Sequence, residues 1–254
     1  MIDVVEPWEV YSCGRYRKDA SRAIGAIAGE GKIPIVVGGS GLYVRAVSEG
    51  LFEGPERDEP VREKLRDFAA RMGREALHAR LIAADPDCAG RIHPRDTQRV
   101  IRALEVFELT GRPMSELQRA LSRGSAYELW MVALVRERAA LYEMINRRLD
   151  VMLERGFVEE VRNLTSRGFS EKWPSFRTVG YREIAGYLGG LVSLDAAREN
   201  AKTQTRRFAK RQMTWLAGSP VQAWIEVPEG EAPENTADRL TEVFYAAGVV
   251  SKTT

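Results

Sequence analysis

Apolar residues recur at helical spacing over much of the chain, and this pattern predicts a mostly helical protein. A predicted helix at residues 97–109 begins after Asp96, a residue type that caps helices, and ends at Gly111 and Pro113. The sequence GEAPENTAD at residues 230–238 predicts a turn, and a last amphipathic helix follows it. The other predicted helices cover residues 15–30, 61–84, 136–167 with an interruption at Gly156, and 194–216.

Two short apolar runs interrupt the helices and predict buried strands. Residues 33–37 form a β-branched run that leads into the sequence GGSGLY, and residues 129–135 form the second run. Strands that alternate with helices indicate α/β architecture. Two or three strands are too few for a complete sheet, so we expect a partial parallel sheet in a mostly helical chain.

Composition narrows the class of protein. The chain has 38 Lys and Arg against 36 Asp and Glu, a formal charge of +2, so binding to nucleic acid would need a local cluster of cations. Cys13 and Cys88 have neither CxxC spacing nor neighbouring His residues, which argues against a disulfide framework or a zinc site. No apolar run approaches the roughly 20 residues of a membrane span. These features predict a cytoplasmic protein with no membrane association.

A cluster of cations lies in the predicted helix at residues 194–216. The chain has no acidic residue between Asn200 and Ile225, so the cations lack the acidic neighbours that usually form i,i+4 pairs. At roughly 100° per residue the cations share one half of the helix, opposite Ala201, Phe208, Trp215 and Leu216. We expect one half to pack and the other to bind a polyanion; the alternative is an ordinary solvated basic face. The cations are Lys202, Arg206, Arg207, Lys210 and Arg211.

A glycine turn follows the first predicted strand. In VVGGSGLY, Gly38, Gly39 and Gly41 allow successive backbone N–H groups to face one ligand at a helix N-terminus, and Ser40 adds a hydroxyl. This arrangement suits a phosphate or diphosphate. The alternative is that a tight turn between strand and helix needs glycine for packing alone.

Two further segments carry cations that could bind RNA or another anion. Gln98, Arg99 and Arg102 project to one side of their predicted helix, where they could contact unpaired bases and phosphate. The alternative is an amphipathic helix salt-bridged to its surroundings. In SFRTVGYRE, Arg177 could bind an anion, or it could be a surface loop cation. His93 has no neighbouring ligand residues, so we interpret it as structural.

Four motifs together resemble one family. GGSGLY, DPDCAGRIHPRDTQRVIRALEVFELTGRP, SFRTVGYRE and AKRQMTW occur in the order typical of the bacterial tRNA dimethylallyltransferases, and the similarity runs to about Trp224. The resemblance implies a P-loop NTPase-like α/β core at residues 1–51 and 127–254, with a helical insertion domain at 52–126. It also implies transfer of a dimethylallyl group from dimethylallyl diphosphate to N6 of an adenosine beside the anticodon. The implied partners are Mg²⁺ and the tRNA anticodon stem-loop, and we expect a monomer.

The resemblance also implies roles for individual residues. Ser40 matches a hydroxyl at the reaction centre, where the family commonly has Thr, and Arg177 matches the arginine that neutralises the diphosphate leaving group. Both are therefore expected to be catalytic, and Gly38, Gly39 and Gly41 are expected to bind diphosphate with them. The expected tRNA-binding residues are Arg62, Gln98, Arg99, Val100, Ile101, Arg102, Arg177, Thr178, Val179, Gly180, Tyr181, Arg182, Lys210, Arg211, Gln212, Met213, Thr214 and Trp215.

The start of the chain departs from the family pattern. Family members begin with a Walker-type loop that binds diphosphate with Mg²⁺, followed by a strand whose Asp is the presumed general base, and this sequence contains neither. The departure predicts exposed apolar strand edges and poor solubility. It leaves two alternatives open: a tRNA-binding fragment without catalysis, and, with less support, an adenine-nucleotide isopentenyltransferase.

Overall fold

The computed structural model describes residues 1–50, 54–120 and 127–249. The fold is mostly helical with a small parallel sheet, which confirms the predicted class. The strands are β1 (Val132–Val135) and β2 (Ala223–Glu226), and a 3₁₀ helix covers Pro174–Arg177. The α-helices are α1 (Cys13–Gly29), α2 (Gly41–Ser48), α3 (Glu59–Met72), α4 (Arg74–Ala84), α5 (Pro86–Ala89), α6 (Thr97–Thr110), α7 (Met114–Ala120), α8 (Arg138–Glu154), α9 (Phe157–Ser166), α10 (Tyr181–Leu188), α11 (Leu194–Ala217) and α12 (Pro233–Ala246).

The chain divides into two compact units. The sheet unit contains Met1–Ser12, Val36–Gly41 and the described residues from Glu128 onward. The helical unit contains Cys13–Ile35 and the described residues from Leu42 to Tyr127. The domain boundaries expected from the family resemblance stay predictions. Within the described ranges, no helix is both long and apolar enough to cross a membrane.

The sheet unit contains the parallel pair of strands. β1 and β2 pair with Ala133 opposite Trp224 and Leu134 opposite Ile225. The strand predicted at residues 129–135 is therefore confirmed in its second half. β2 was not predicted, because Trp224 and Ile225 are both apolar and their alternation, exposed and then buried, is visible only in the structure.

The strand predicted at residues 33–37 is wrong. In the described part of the chain β1 and β2 pair only with each other, so this β-branched segment has no neighbouring strand to complete a ladder. Ile35 is 70% exposed and Val37 is 89% exposed. These exposed apolar residues do not belong to a strand edge, and the poor solubility expected from the sequence stays a prediction.

The helices α8, α9, α10 and α11 of the sheet unit pack around a shared cluster of buried apolar residues. The interruption predicted at Gly156 is confirmed, because its positive φ of 95° lets the chain turn from α8 into α9. Ala197 and Ala201 are small residues one turn apart on α11, and both are buried in this cluster. The other buried members are Leu149, Phe157, Val161 and Ile184.

The helical unit has its own core. Leu65, Leu77, Leu81 and Val100, on α3, α4 and α6, are almost fully buried there. The single helix predicted at residues 61–84 is wrong, because Gly73 adopts φ 88° and separates α3 from α4.

The predicted ends of α6 are confirmed. Asp96 Oδ1 accepts a hydrogen bond from Arg99 N at 3.2 Å, and Gly111 ends the helix in the left-handed region at φ 69°. The turn predicted at residues 230–238 is shorter than expected. α12 already begins at Pro233, whose fixed φ suits the first turn of a helix.

Candidate functional site

The glycine turn lies against α11 within the sheet unit. Gln212 donates a hydrogen bond from Nε2 to the carbonyl oxygen of Gly39 at 3.1 Å. A Cβ atom at Gly39 would overlap Gln212 Nε2, and one at Gly41 would lie 2.5 Å from Trp215 Cδ2, whereas one at Gly38 would meet nothing within 4 Å. Close approach of α11 therefore explains the glycines at 39 and 41. Ser40 between them is exposed.

The part of α11 just before Gln212 presents cations to solvent. Arg207, Lys210 and Arg211 are exposed. The Arg211 guanidinium lies 5.6 Å from the centre of the Phe208 ring, and Thr214 Oγ1 donates to the Lys210 carbonyl at 3.0 Å. The side chains of Arg207 and Lys210 have no ion-pair partner within residues 1–50, 54–120 and 127–249. This surface is available to a polyanion.

Two cations of the predicted surface are engaged internally, which corrects the expectation that all five face outward. The Lys202 side chain is 8% exposed, with Nζ 2.9 Å from Asp150 Oδ1 and 3.3 Å from Glu199 Oε1. Arg206 donates to Asn146 Oδ1 at 2.7 Å. Glu199, just before the acid-free stretch, is the local partner of Lys202, and Asp150 and Asn146 contact the stretch from α8. Phe208, expected to pack, is 45% exposed.

Asp150 holds α8 to α11 electrostatically. Its Oδ1 accepts from Arg198 Nε at 2.7 Å as well as from Lys202. The hydrogen bond from Arg198, joined by the one from Lys202, lowers the pKa of Asp150 to about 2. The carboxylate therefore stays ionised near neutral pH. The N-terminal part of α11, with Arg198 and Lys202, is thus engaged in contacts with α8.

Arg177 lies at the end of the 3₁₀ helix and is exposed. Its guanidinium has no hydrogen-bond or ion-pair partner in the part of the chain that the structure describes. The backbone around it is held in place: Ser175 Oγ donates to the Pro7 carbonyl at 2.6 Å, and Trp173 packs edge-on against Trp8 with ring centroids 5.4 Å apart. A free guanidinium on an anchored turn suits the binding of an anion.

The residues after Arg177 mostly serve the start of α10. Gly180 N donates to Glu183 Oε2 at 2.8 Å, and Arg182 Nη2 lies 2.6 Å from Glu183 Oε1. Tyr181 donates its hydroxyl to Glu160 at 2.6 Å; burial, assisted by this bond, raises the pKa of Tyr181 to about 12. The Gly180 amide and the Tyr181 hydroxyl, both expected to contact tRNA, therefore donate to carboxylates within the protein. Thr178 is exposed and Val179 is half-buried.

Arg62 and Arg102 of the helical unit are both paired with an internal carboxylate, and their side chains are 18% and 31% exposed. Their expected contacts with tRNA stay predictions. Glu105 is fully buried, and its carboxylate receives Arg62 Nε at 2.8 Å, Arg62 Nη2 at 3.0 Å and Arg102 Nη1 at 2.7 Å. Asp58 N adds a fourth bond at 2.9 Å, and Arg102 also donates to the Pro55 carbonyl. The salt-bridged alternative holds for these two arginines.

Burial alone would raise the pKa of Glu105. The hydrogen bonds from Arg62, Arg102 and the Asp58 amide together outweigh it, so the pKa of Glu105 is lowered. The carboxylate is ionised and its two cations are matched to it. The cluster joins α3, α6 and the segment before α3.

Gln98 and Arg99 remain exposed at the start of α6. Arg99 is 75% exposed and makes a loose pair with Asp96 at 3.4 Å. The side chains of Val100 and Ile101 are 0% and 6% exposed because they pack in the helical core, and the expected part of these two residues in tRNA binding stays a prediction. Of the stretch 98–102, only its first two side chains offer a polar surface.

The comparison with family models decides the family. A model described as IPP transferase matches residues 1–219. The chain belongs to the IPP transferase family. It is 42% identical to a tRNA dimethylallyltransferase of Geobacillus thermodenitrificans, over 98% of this chain and 78% of that protein. It is also 42% identical to one of Geobacter sulfurreducens, over 90% of this chain and 74% of that protein.

Solved structures agree with this membership of the IPP transferase family. The full-length tRNA isopentenylpyrophosphate transferase of Bacillus halodurans matches with a TM-score of 0.65 and 36% identity, over 95% of this chain and 76% of that one. A eukaryotic dimethylallyltransferase solved while acting on tRNA matches with a TM-score of 0.76 at 24% identity, over 96% of this chain and 64% of that one. The second likeness concerns the fold.

The family resemblance implies Mg²⁺, so the acidic and other metal-ligating side chains of this IPP transferase family member are relevant. The described residues contain no group of three or more His, Cys, Asp or Glu side chains placed to hold a metal ion. Mg²⁺ prefers carboxylate and phosphate oxygens. Among the described residues, no such group would hold Mg²⁺ without ligands from a bound diphosphate.

Three positions that shape these surfaces were not predicted. Glu105 lies three residues after Arg102 within the apolar run ALEVF, and this spacing was an available signal for a buried ion pair. Asn146 and Asp150 are four residues apart and therefore lie on one face of α8, the face that contacts α11. The anchoring of the Arg177 turn by Trp8 has no local signal, because the contact spans most of the chain.

Proposed function

We propose that the chain transfers a dimethylallyl group from dimethylallyl diphosphate to the exocyclic N6 of an adenosine beside the anticodon in tRNA. The main support is the contact of Gln212 with Gly39. Through this contact the glycine turn lies against the helix that exposes Arg207, Lys210 and Arg211. A diphosphate-binding turn and a polyanion-binding surface then share α11. The names of the relatives in Geobacillus and Geobacter support the same reaction.

The transfer reaction would require the exposed groups of the glycine turn and Arg177 to stabilise negative charge on the leaving diphosphate. The N6 lone pair attacks the allylic carbon, the C–O bond breaks, and its electron pair leaves on the diphosphate. The alkylated N6 is cationic and releases its proton. Negative charge grows on the diphosphate as the bond breaks, so the amides of Gly38 to Gly41, the hydroxyl of Ser40 and the guanidinium of Arg177 would stabilise the transition state.

The tRNA contacts divide by unit. In the sheet unit, Lys210, Arg211 and Arg207 supply exposed cations for phosphate, and the neighbouring Met213 and Thr214 are also exposed. In the helical unit, Gln98 and Arg99 supply an exposed amide and guanidinium. Arginine and glutamine are suited to phosphate and to base edges, respectively, in an unpaired loop.

The proposal also covers the cellular compartment, the oligomeric state and the metal ion. We place it in the cytoplasm, with the protein acting as a monomer and Mg²⁺ accompanying the diphosphate. Two alternatives receive no support from the relatives: their names specify tRNA rather than a free adenine nucleotide, and they specify a transferase rather than a binding protein.

A transfer assay tests the proposal. Purified protein is incubated with dimethylallyl diphosphate, Mg²⁺ and an anticodon stem-loop, and nucleosides are analysed by mass spectrometry. We expect one adenosine in which a dimethylallyl group replaces a hydrogen on N6. Salt-dependent binding of the stem-loop without product would instead indicate a binding protein. Faster modification of adenosine monophosphate than of the stem-loop would indicate a nucleotide transferase.

Replacing Lys210 by alanine tests the polyanion surface. Because the exposed ammonium would release a counterion on binding a phosphate, Lys210→Ala should weaken stem-loop binding and reduce the slope of log K against log salt by about 1. Fluorescence anisotropy across a salt series measures both. Lys32→Ala, which removes an exposed lysine paired with Glu30, is the control and should leave the slope unchanged. Equal slopes for Lys210→Ala and wild type would contradict the assignment.

A further inference from the structure

We infer that Gln212 and Trp215 are positioning residues for the donor diphosphate rather than tRNA-reading residues. The inference rests on the proposed function, and it changes what two members of the expected tRNA-binding set do. The family resemblance places both in the tRNA-contacting stretch. Their side chains in this structure are directed instead at the glycine turn.

The turn depends on α11 for a fixed position. Among the described residues, no backbone–backbone hydrogen bond outside the helices involves residues 33–39. The segment therefore lacks the ladder that would hold a strand. The bond from Gln212 Nε2 to the Gly39 carbonyl supplies a specific anchor at the C-terminal end of this segment. An anchored carbonyl fixes the peptide plane and thereby the direction of the next N–H group.

Trp215 provides the second contact. Its indole ring is so close to Gly41 that an added Cβ would lie 2.5 Å from Cδ2 and 2.6 Å from Nε1. Gln212 and Trp215 are three residues apart and therefore lie on one side of the helix. Lys210, two residues before Gln212, leaves the helix about 200° away. One side of α11 thus holds the turn while another remains exposed to a polyanion.

The arrangement predicts a split between the two substrates. Loss of the Gln212 anchor leaves the turn amides free to point away from the diphosphate, so donor binding should weaken. The exposed cations of α11 are unchanged, so tRNA binding should persist. A tRNA-reading Gln212 would give the opposite split.

The test uses Gln212→Met, which keeps the length of the side chain but removes the donor. We expect the KM and the calorimetric Kd for dimethylallyl diphosphate to rise about tenfold, as for the loss of one hydrogen bond, and the Kd for the stem-loop to stay within about twofold. Gly39→Ala should also weaken donor binding about tenfold, because its Cβ meets Gln212. Gly25→Ala, where a Cβ meets nothing within 4 Å, is the matched control and should change neither constant.

A double variant makes the assignment specific. In Gly39→Ala/Gln212→Ala the shortened side chain leaves room for the new methyl group, so donor affinity should equal that of Gln212→Ala alone. Additive losses would overturn the inference, as would a Gln212→Met variant that loses stem-loop affinity and keeps donor affinity. Thermal melts identify any variant that fails to fold; if Gly39→Ala does, Gln212→Met decides by itself.

The outcomes separate the inference from the function on which it rests. Wild-type protein that binds dimethylallyl diphosphate and transfers its prenyl group, combined with unchanged donor affinity in Gln212→Met, overturns the inference alone. Wild-type protein that binds no dimethylallyl diphosphate overturns both. Because calorimetry reports donor binding directly, the decision does not depend on turnover.

Discussion

Replacing Arg177 by alanine is expected to lower kcat for dimethylallyl transfer by about 100- to 1,000-fold, the usual cost of losing one preorganised group at a developing charge. The guanidinium is exposed and unpaired within the described residues, so no internal ion pair competes for it. Its charge would meet the diphosphate as the allylic C–O bond breaks. Single-turnover kinetics with saturating stem-loop and donor measure this step without interference from product release.

Two further variants show whether the loss belongs to the leaving group. Arg177→Lys keeps a charge but loses the bidentate geometry, so it should recover only part of the rate. Arg162→Ala removes an exposed arginine paired with Glu159 at 3.2 Å and should leave kcat unchanged. Unaltered kcat in Arg177→Ala, with or without a change in stem-loop affinity, would remove Arg177 from the chemistry.

The anchoring of Arg177 explains why its side chain can remain free. The adjacent residues pack in an aromatic cluster, in which Phe169 lies 5.6 Å from Trp173 and 5.2 Å from Phe176 between ring centroids. Trp8 extends the cluster from the start of the chain. The backbone is fixed by these rings and does not need the guanidinium as a tether.

Much of the helical fold could be predicted from the sequence because amphipathic helices carry their own signal. The caps of α6 and the interruption at Gly156 follow from residues within a few positions of each other. The strand at 33–37 was predicted incorrectly because a strand needs a partner, and composition does not reveal whether one is present. Gly73 was passed over because the apolar spacing continues across it from α3 to α4.

The candidate site was predictable only in part. The glycine turn has a local signature, but its contact with Gln212 joins residues 173 positions apart and has no local signal. Lys202 was predictable only in part: Glu199 is a local acid three residues before it, but its shorter ion pair is with Asp150 on another helix and has no local signal. A count of nearby charges therefore overestimated the exposed cationic surface of α11.

The largest effect on stability is expected at Glu105, although no role in transfer is proposed for it. Glu105→Ala should destabilise the helical unit by about 3–5 kcal/mol, because removal of one partner leaves the cations of a buried network uncompensated. Arg62 and Arg102 are the cations concerned, with side chains 18% and 31% exposed. Urea unfolding followed by circular dichroism measures the change. Glu116→Ala, which breaks the exposed pair with Arg112, is the control and should cost less than about 1 kcal/mol.

The pH dependence gives an independent check on the same carboxylate. Since folding lowers the pKa of Glu105 below its ordinary value of 4.5, its ionisation stabilises the folded state above that pH. This contribution should disappear as the pH falls through the lowered folded-state pKa. Glu105→Gln cannot titrate, so the difference in unfolding free energy between wild type and variant should be constant near neutral pH and should shrink below about pH 4.5. A difference that is independent of pH down to pH 2, or a stable Glu105→Ala variant, would show that the Arg62–Glu105–Arg102 network does not hold α3 to α6.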